Sequence, residues 1–164
     1  MVWMQAILPP AEPTSAAGHV EAARTRKMAE ALACGIDDAF ISKLVESFYE
    51  IVRLDDQLGP IFARRIQDWP VHLARMKNFW GSIMIESGRF SGSPMQKHIA
   101  IGGLDAGHFA RWQLLWDRAV TQLAPNPEVR DRFRKAAHRI GESLLTGIEL
   151  ERGGLAAVSV RSSS

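Results

Sequence analysis

Five histidines, His19, His72, His98, His108 and His138, and one tyrosine, Tyr49, carry most of the chain's capacity for proton or metal chemistry near neutral pH. Three of the histidines have bland settings. His19 lies in a Pro- and Ala-rich opening, His108 falls in the first turn of an expected helix, and His138 flanks the apolar stripe of another. His72 and His98 remain. On one continuous helix their 26-residue separation would hold them roughly 39 Å apart at ~1.5 Å per residue. The break from Gly88 to Pro94 lets the chain fold back, so that the two imidazoles could face each other across a gap. Packing alone also accounts for a lone histidine in the short apolar segment from Pro94 to Ile101.

The common alternatives lack their motifs. No His-Glu-x-x-His spacing occurs, and no Glu-x-x-His pair of the bundle type. Gly-x-Gly-x-x-Gly and Gly-x-Ser-x-Gly are missing too. The single cysteine, Cys34, excludes an intramolecular disulfide and a cysteine-based metal cluster.

The elements that must position these groups read as helices. Asp37 and Asp38 can cap a helix that carries Ile41, Leu44, Val45, Phe48 and Val52 on one face, with Tyr49 turned inward at its edge. This helix is expected to end near Asp55-Asp56, with Gly59-Pro60 forming a turn before Ile61-Phe62. Asp68 caps the next helix, which has Pro70 in its first turn. His72, Met76, Phe79 and Ile83 stack on one of its faces; Leu73, Trp80 and Met84 form a second stripe. Gly88 is placed to stop it. Ser93 and Pro94 start a short helix holding His98, and Gly102-Gly103 breaks it. Asp105 caps a helix striped by Phe109, Trp112, Trp116, Ala119 and Leu123. Asn126-Pro127 opens the last one, striped by Val129, Phe133, Ala137, Ile140, Leu144 and Ile148. No segment reads as a strand. The fold class is all-α, with four main helices and a short one before the third. Tyr49, Met76, Phe79, Trp80 and Trp112 then line a large apolar space beside the two histidines. That space suits a flat apolar cofactor such as haem, or it is a plain helical core.

Length and composition bound the rest. At 164 residues, 46% hydrophobic and 23% charged, the chain fits one domain with a sizeable core. The net charge of +2 is a small excess, and no basic run argues for nucleic acid. No apolar run approaches the roughly 20 residues of a membrane span, and Met1 to Leu8 lacks a basic signal-type start. A cytoplasmic location is expected. Residues 1–36 read as a mobile leader in which Val20 to Leu32 could be helical, 37–150 as the folded domain, and 151–164 as a disordered tail.

The run Phe48-Tyr49-Glu50-Ile51-Val52-Arg53-Leu54-Asp55-Asp56-Gln57-Leu58-Gly59-Pro60-Ile61-Phe62 resembles the truncated haemoglobins, specifically their third group. Further pieces agree in order and spacing: Asp68 to Met76, Phe79-Trp80, Gly92-Ser93-Pro94 leading to His98, and His108-Phe109-Ala110-Arg111-Trp112. The similarity covers about residues 37 to 148. It implies a shortened globin, a two-over-two helical sandwich around haem b (iron protoporphyrin IX). By that resemblance His98 matches the proximal histidine, binding iron through Nε2, and Tyr49, His72 and Trp112 form the distal side. Phe62, Met76, Phe79 and Trp80 become pocket wall, with plain core the alternative for Phe62 and Trp80. Arg75 and Lys97 become candidates for the haem carboxylates, with solvated charge the alternative. One departure stands out: Gly102-Gly103 and Gly107 occur where the family often has proline-containing sequence, which implies a looser proximal side.

The function so implied is reversible binding of a diatomic gas, O2 first, with NO or CO as further ligands. The alternative is a haem enzyme, peroxidase-like or of the NO dioxygenase type. It would need a separate reductase, because the chain holds no flavin or nicotinamide domain. A helical interaction module without haem is a third reading. A monomer or weak homodimer is expected.

Overall fold

The computed structural model describes residues 16–161, with side chains described as far as Gly154. Residues 1–15 of the expected leader and 162–164 of the expected tail lie outside the described residues. Every described element is an α-helix: α1 (Ala16–Cys34), α2 (Asp38–Leu54), α3 (Gly59–Arg65), α4 (Trp69–Met84), α5 (Pro94–Ile99), α6 (Ala106–Leu123) and α7 (Pro127–Arg161). None of them is long and apolar enough to cross a membrane.

The starts follow capping chemistry. Asp37, Asp68, Ser93 and Asp105 each accept a backbone N–H from three residues on, satisfying a donor that the first turn leaves open. Asn126 does the same for α7, accepting from Val129 N at 2.9 Å. Its Nδ2 also donates to the Cys34 carbonyl at 2.8 Å, tying the start of α7 to the end of α1.

Helix α1 covers most of the segment expected as leader. It ends in a Schellman turn: Gly35 takes a left-handed φ of +101°, and Ile36 N–H reaches the Ala31 carbonyl at 2.9 Å. Ile36 and Ala31 are both fully buried at this turn. Farther up, Arg24 Nε donates to the Glu86 carbonyl at 3.0 Å, and Lys27 pairs with the Glu86 carboxylate.

Helix α3 stands where the sequence suggests a simple turn. Seven residues are too few for a helical period to show. Proline in the first turn needs no N–H partner there. The chain passes so close to the end of α2 that a Cβ on Gly59 would lie 2.9 Å from the Arg53 carbonyl oxygen. At the other end, α7 runs through Gly153-Gly154 to Arg161, past the stop expected near residue 150.

Helix α2 packs on α4 and α6, and α6 packs on α7, giving two crossed helix pairs. The core between them is aromatic. Trp116 is fully buried, stacks on Trp80 at a centroid distance of 4.3 Å, and meets the edge of Phe48 at 4.9 Å. Its indole N–H donates to the Phe133 carbonyl at 3.3 Å, so the ring is buried without an orphaned donor. Trp116→Ala is therefore expected to cost about 3–5 kcal/mol in denaturant unfolding. A loss below about 1 kcal/mol would show that the stack is not central to the core.

An ion pair between buried Asp55 and partly exposed Arg111 ties the α2–α3 corner to α6. Asp55, with its side chain 3% exposed, receives Arg111 Nε at 2.8 Å and Nη2 at 2.6 Å on Oδ2. Its Oδ1 accepts from Gln57 N and Leu58 N, closing the corner. Arg111 and these N–H groups hold the carboxyl below its usual range, against the opposing effect of burial. A depressed folded-state pKa means stability that is present above the ordinary value near ~4 and is lost as pH falls through the folded value. Asp55→Asn should thus destabilise at pH 7 and much less at about pH 3, measured by urea unfolding. An equal loss at both pH values would refute an electrostatic role for Asp55.

Candidate cofactor site

Helix α2 delivers Tyr49 at the edge of its buried face, and α4 delivers His72 one turn after the Asp68 cap. The two rings meet edge to face at 4.9 Å and 88°. Phe62 from α3 closes on both, 5.7 Å from Tyr49 and 6.4 Å from His72. A fourth ring, Trp69, joins at 6.0 Å from Tyr49 and 5.9 Å from His72. The site expected from sequence omits Trp69. Its i, i+3 spacing to His72 was the available signal. The Arg53 guanidinium lies 4.7 Å above the Trp69 ring, on a cation–π contact.

Among the described residues the Tyr49 hydroxyl has no hydrogen-bond partner, and burial pushes its pKa well up. It is a neutral phenol at neutral pH, able to donate. His72 Nε2 is buried without a partner. Burial, aided by the charge of Arg75, pushes the His72 pKa down to about 4. The imidazole is thus neutral at pH 7, with one polar atom aimed at no protein group.

His98 lies apart from this cluster, on α5. Its Nδ1 lies 2.7 Å from the Pro94 carbonyl oxygen, one turn back. A carbonyl can only accept, so Nδ1 carries the hydrogen and Nε2 is left as a lone-pair donor for a metal. His98 also approaches Phe109 of α6 at 6.4 Å. Trp112 follows Phe109 by three residues on the same helix. It is half-buried and stacks on Trp116 at 5.9 Å and 10°. Helix α6 thus connects the His98 side with the aromatic core. Helix α5 is seated by Met95, which presses into the space above Gly147 of α7, where a Cβ would collide with its sulfur and terminal methyl.

The other expected residues divide. Met76 and Phe79 are half-buried against the core cluster, with Phe79 edge to face on Trp80 and Phe90. Trp80 faces the core, against Trp116 and Phe133, and is not in the Tyr49–His72 cluster. Arg75 and Lys97 are exposed. His108 closes on Asp105 in a capping box, and exposed His138 lies 3.7 Å from Asp117. Among the described residues no group of three or more His, Cys, Asp or Glu gathers to hold a metal ion, so His98 stands as a single candidate ligand.

The depressed His72 value has a direct check. The folded protein binds fewer protons here than the unfolded chain between about 4 and ~6.5. His72 therefore contributes stability above pH ~6.5 that is lost as pH falls toward 4. NMR titration of the His72 ring is expected to show it neutral until pH falls to about 4. A midpoint near ~6.5 would mean the ring is solvated in solution.

No protein-family model matches the chain. Over 109 residues it is 32% identical to the group 3 truncated hemoglobin ctb of Campylobacter jejuni, a match covering 64% of this chain and 85% of that protein. The crystal structure of group III truncated hemoglobin from Campylobacter jejuni superposes with a TM-score of 0.66 at 30% identity, covering 69% of this chain and 91% of that one. By this identity and coverage, and by its shared all-helical fold, the chain belongs to the group III truncated haemoglobins.

Proposed function

We propose that this chain binds haem b through His98 Nε2 and uses it to bind diatomic gases reversibly, O2 first and also NO or CO. The observation that carries the reading is the hydrogen-bond geometry of His98. Its Nδ1 is engaged by the Pro94 carbonyl, which fixes the tautomer and leaves Nε2 for iron. The fit is supported from the other side by the partnerless, buried Nε2 of His72, beside a Tyr49 hydroxyl with no protein acceptor. Orphaned polar atoms in an aromatic setting are costly unless something polar comes to them.

Haem would supply an iron atom able to bind a small gas. The protein would supply the rest. Phe62, Met76 and Phe79 would give apolar wall. Exposed Arg75 and Lys97 are free to reach the haem carboxylates, while Trp80 would brace α4 from the core. The Tyr49 hydroxyl, held neutral by burial, would donate to a ligand carrying partial negative charge. The indole N–H of Trp112 and, in one tautomer, the Nε2–H of His72 would add to it. A hydrogen bond of this kind is worth about 1.5–3 kcal/mol in a dry site, roughly 10- to 100-fold in dissociation.

The test is the absorption spectrum of the purified protein, oxidised, reduced and with CO, with haem quantified per chain. A strong Soret band shifted by CO is expected, and His98→Ala should abolish normal haem loading. Tyr49→Phe should speed O2 release roughly 10- to 100-fold. A colourless chain that takes up no added hemin would sink the reading. A His98→Ala variant with unchanged spectra would remove His98 from the iron.

A further inference from the structure

The back of α3 holds a cavity of about 400 Å³ that the gas-binding reading does not use. Pro60, Ile61 and Arg64 line it from one side of α3, and Gln57 joins them from the turn before the helix. Phe62 projects from another side of α3, toward Tyr49 and His72. Helix α3 is thus a wall shared by two spaces, with the aromatic cluster on one side and this cavity on the other. The opposite wall is the turn after His98, from Ile101 to Leu104.

The lining has a defined character. Arg64 and Arg65 present two guanidinium groups against one lining carboxylate, Asp56. His108 is already engaged by Asp105. Arg65 spends its Nη2 on the Ile101 carbonyl at 2.6 Å, whereas among the described residues Arg64 has no partner. Ile61, Ile101 and Leu104 give an apolar floor. A volume near 400 Å³ is within the usual range for a small-molecule site. One uncompensated guanidinium above an apolar floor suits a monoanion with a short hydrocarbon body. A planar carboxylate matches the guanidinium fork, whereas a phosphate dianion would leave charge unmatched beside Asp56.

The same cavity touches the proximal side. Ile101 follows His98 by three residues, and Arg65 pins its carbonyl from α3. Gly102 and Gly103 take left-handed φ values of +68° and +70°, and a Cβ on either would meet nothing within 4 Å. This part of the wall has open space on its side-chain face, while its backbone is held by the Gly102 N–H on the Ile99 carbonyl at 3.4 Å. A ligand drawing on Arg65 would compete for the Ile101 carbonyl's donor.

We propose that the cavity between α3 and the Ile101–Leu104 turn binds a small organic carboxylate through Arg64, with Arg65 beside it as second donor, over Ile61, Ile101 and Leu104, and that occupancy reaches His98 by drawing Arg65 away from the Ile101 carbonyl. The site stands on the cavity alone; the coupling clause rests on the role given to His98 above. Coupling between two sites requires an element that both contact, and this turn is one.

The experiment titrates the haem-loaded protein with sodium butyrate, inorganic phosphate and sodium chloride at matched ionic strength, followed by NMR. Butyrate is expected to move the Gly102 and Gly103 amides saturably and to shift the His98 ring N–H in parallel. Arg64→Gln should weaken butyrate binding about tenfold, the loss of one charge-assisted pair. Absence of saturable butyrate shifts, or unchanged affinity in Arg64→Gln, would overturn the site. Tighter saturation of the same amides by phosphate or chloride would overturn the carboxylate assignment. A still His98 ring beside saturating glycine amides would overturn the coupling. The Soret band is read on the same samples, so failure of the haem reading and failure of this site are told apart.

Discussion

Three indoles in contact, Trp80, Trp116 and Trp112, set the spacing of this molecule. Trp116 stacks on Trp80 at 4.3 Å on one side and on Trp112 at 5.9 Å on the other. Trp80 comes from α4, and both of the others come from α6. The stack therefore fixes how closely those two helices approach and at what rotation. It also grades from dry to wet: Trp116 is fully buried and Trp80 nearly so, while Trp112 is half-exposed. One end belongs to the core and the other to the candidate site. Aromatic faces in contact cannot slide without losing both area and favourable geometry. Through Phe48, which meets Trp112, Trp116 and Tyr49, the same packing reaches the phenol.

The Tyr49–His72 cluster and the His98 helix are held by different means. Tyr49, His72, Phe62 and Trp69 come from three helices and lock edge to face, so no one ring can turn alone. His98 has one hydrogen bond, to Pro94, and one ring contact, to Phe109. Its helix is seated by Met95 over Gly147, a fit of a flexible side chain into a place where even a methyl group would collide. The turn beyond it contains two left-handed glycines with open space around them. Rigidity is concentrated on one side of the molecule and adjustability on the other.

Much of this was legible in the sequence where local physics decides. The buried face of α2, including the inward edge position of Tyr49, follows from spacings of three and four. The caps at Asp37, Asp68, Ser93, Asp105 and Asn126 follow from side chains that bind open N–H groups. The rest depends on contacts that no local window contains. Helix α3 is too short to show a period, and its start reads as a turn because Gly59 serves a close approach to the Arg53 carbonyl. The anchoring of α1 rests on the Glu86 carbonyl, 62 residues from Arg24. Helix α4 ends at Met84, before Gly88, because Glu86 itself takes the left-handed conformation. The spacings of His72 and His98 left a plain core open as an explanation. It was the resemblance that assigned them roles, and Trp69 entered the cluster only with the fold.

The polar atoms left without partners deserve a physical account. A helical core of this size could satisfy or exclude every buried donor, and most buried groups here do so: Trp116 finds a carbonyl, and Asp55 takes four N–H donors. His72 Nε2 does not, although replacing the ring by an apolar one would remove the cost of burying it. Gln113 Nε2, Asp117 Oδ1 and Arg134 Nε are buried without partners as well, on α6 and α7, so an orphaned atom alone does not mark a site; the His72 ring differs in meeting Tyr49 edge to face. On the proposed reading, a polar group supplied from outside the chain would complete the hydrogen bonding of His72 Nε2.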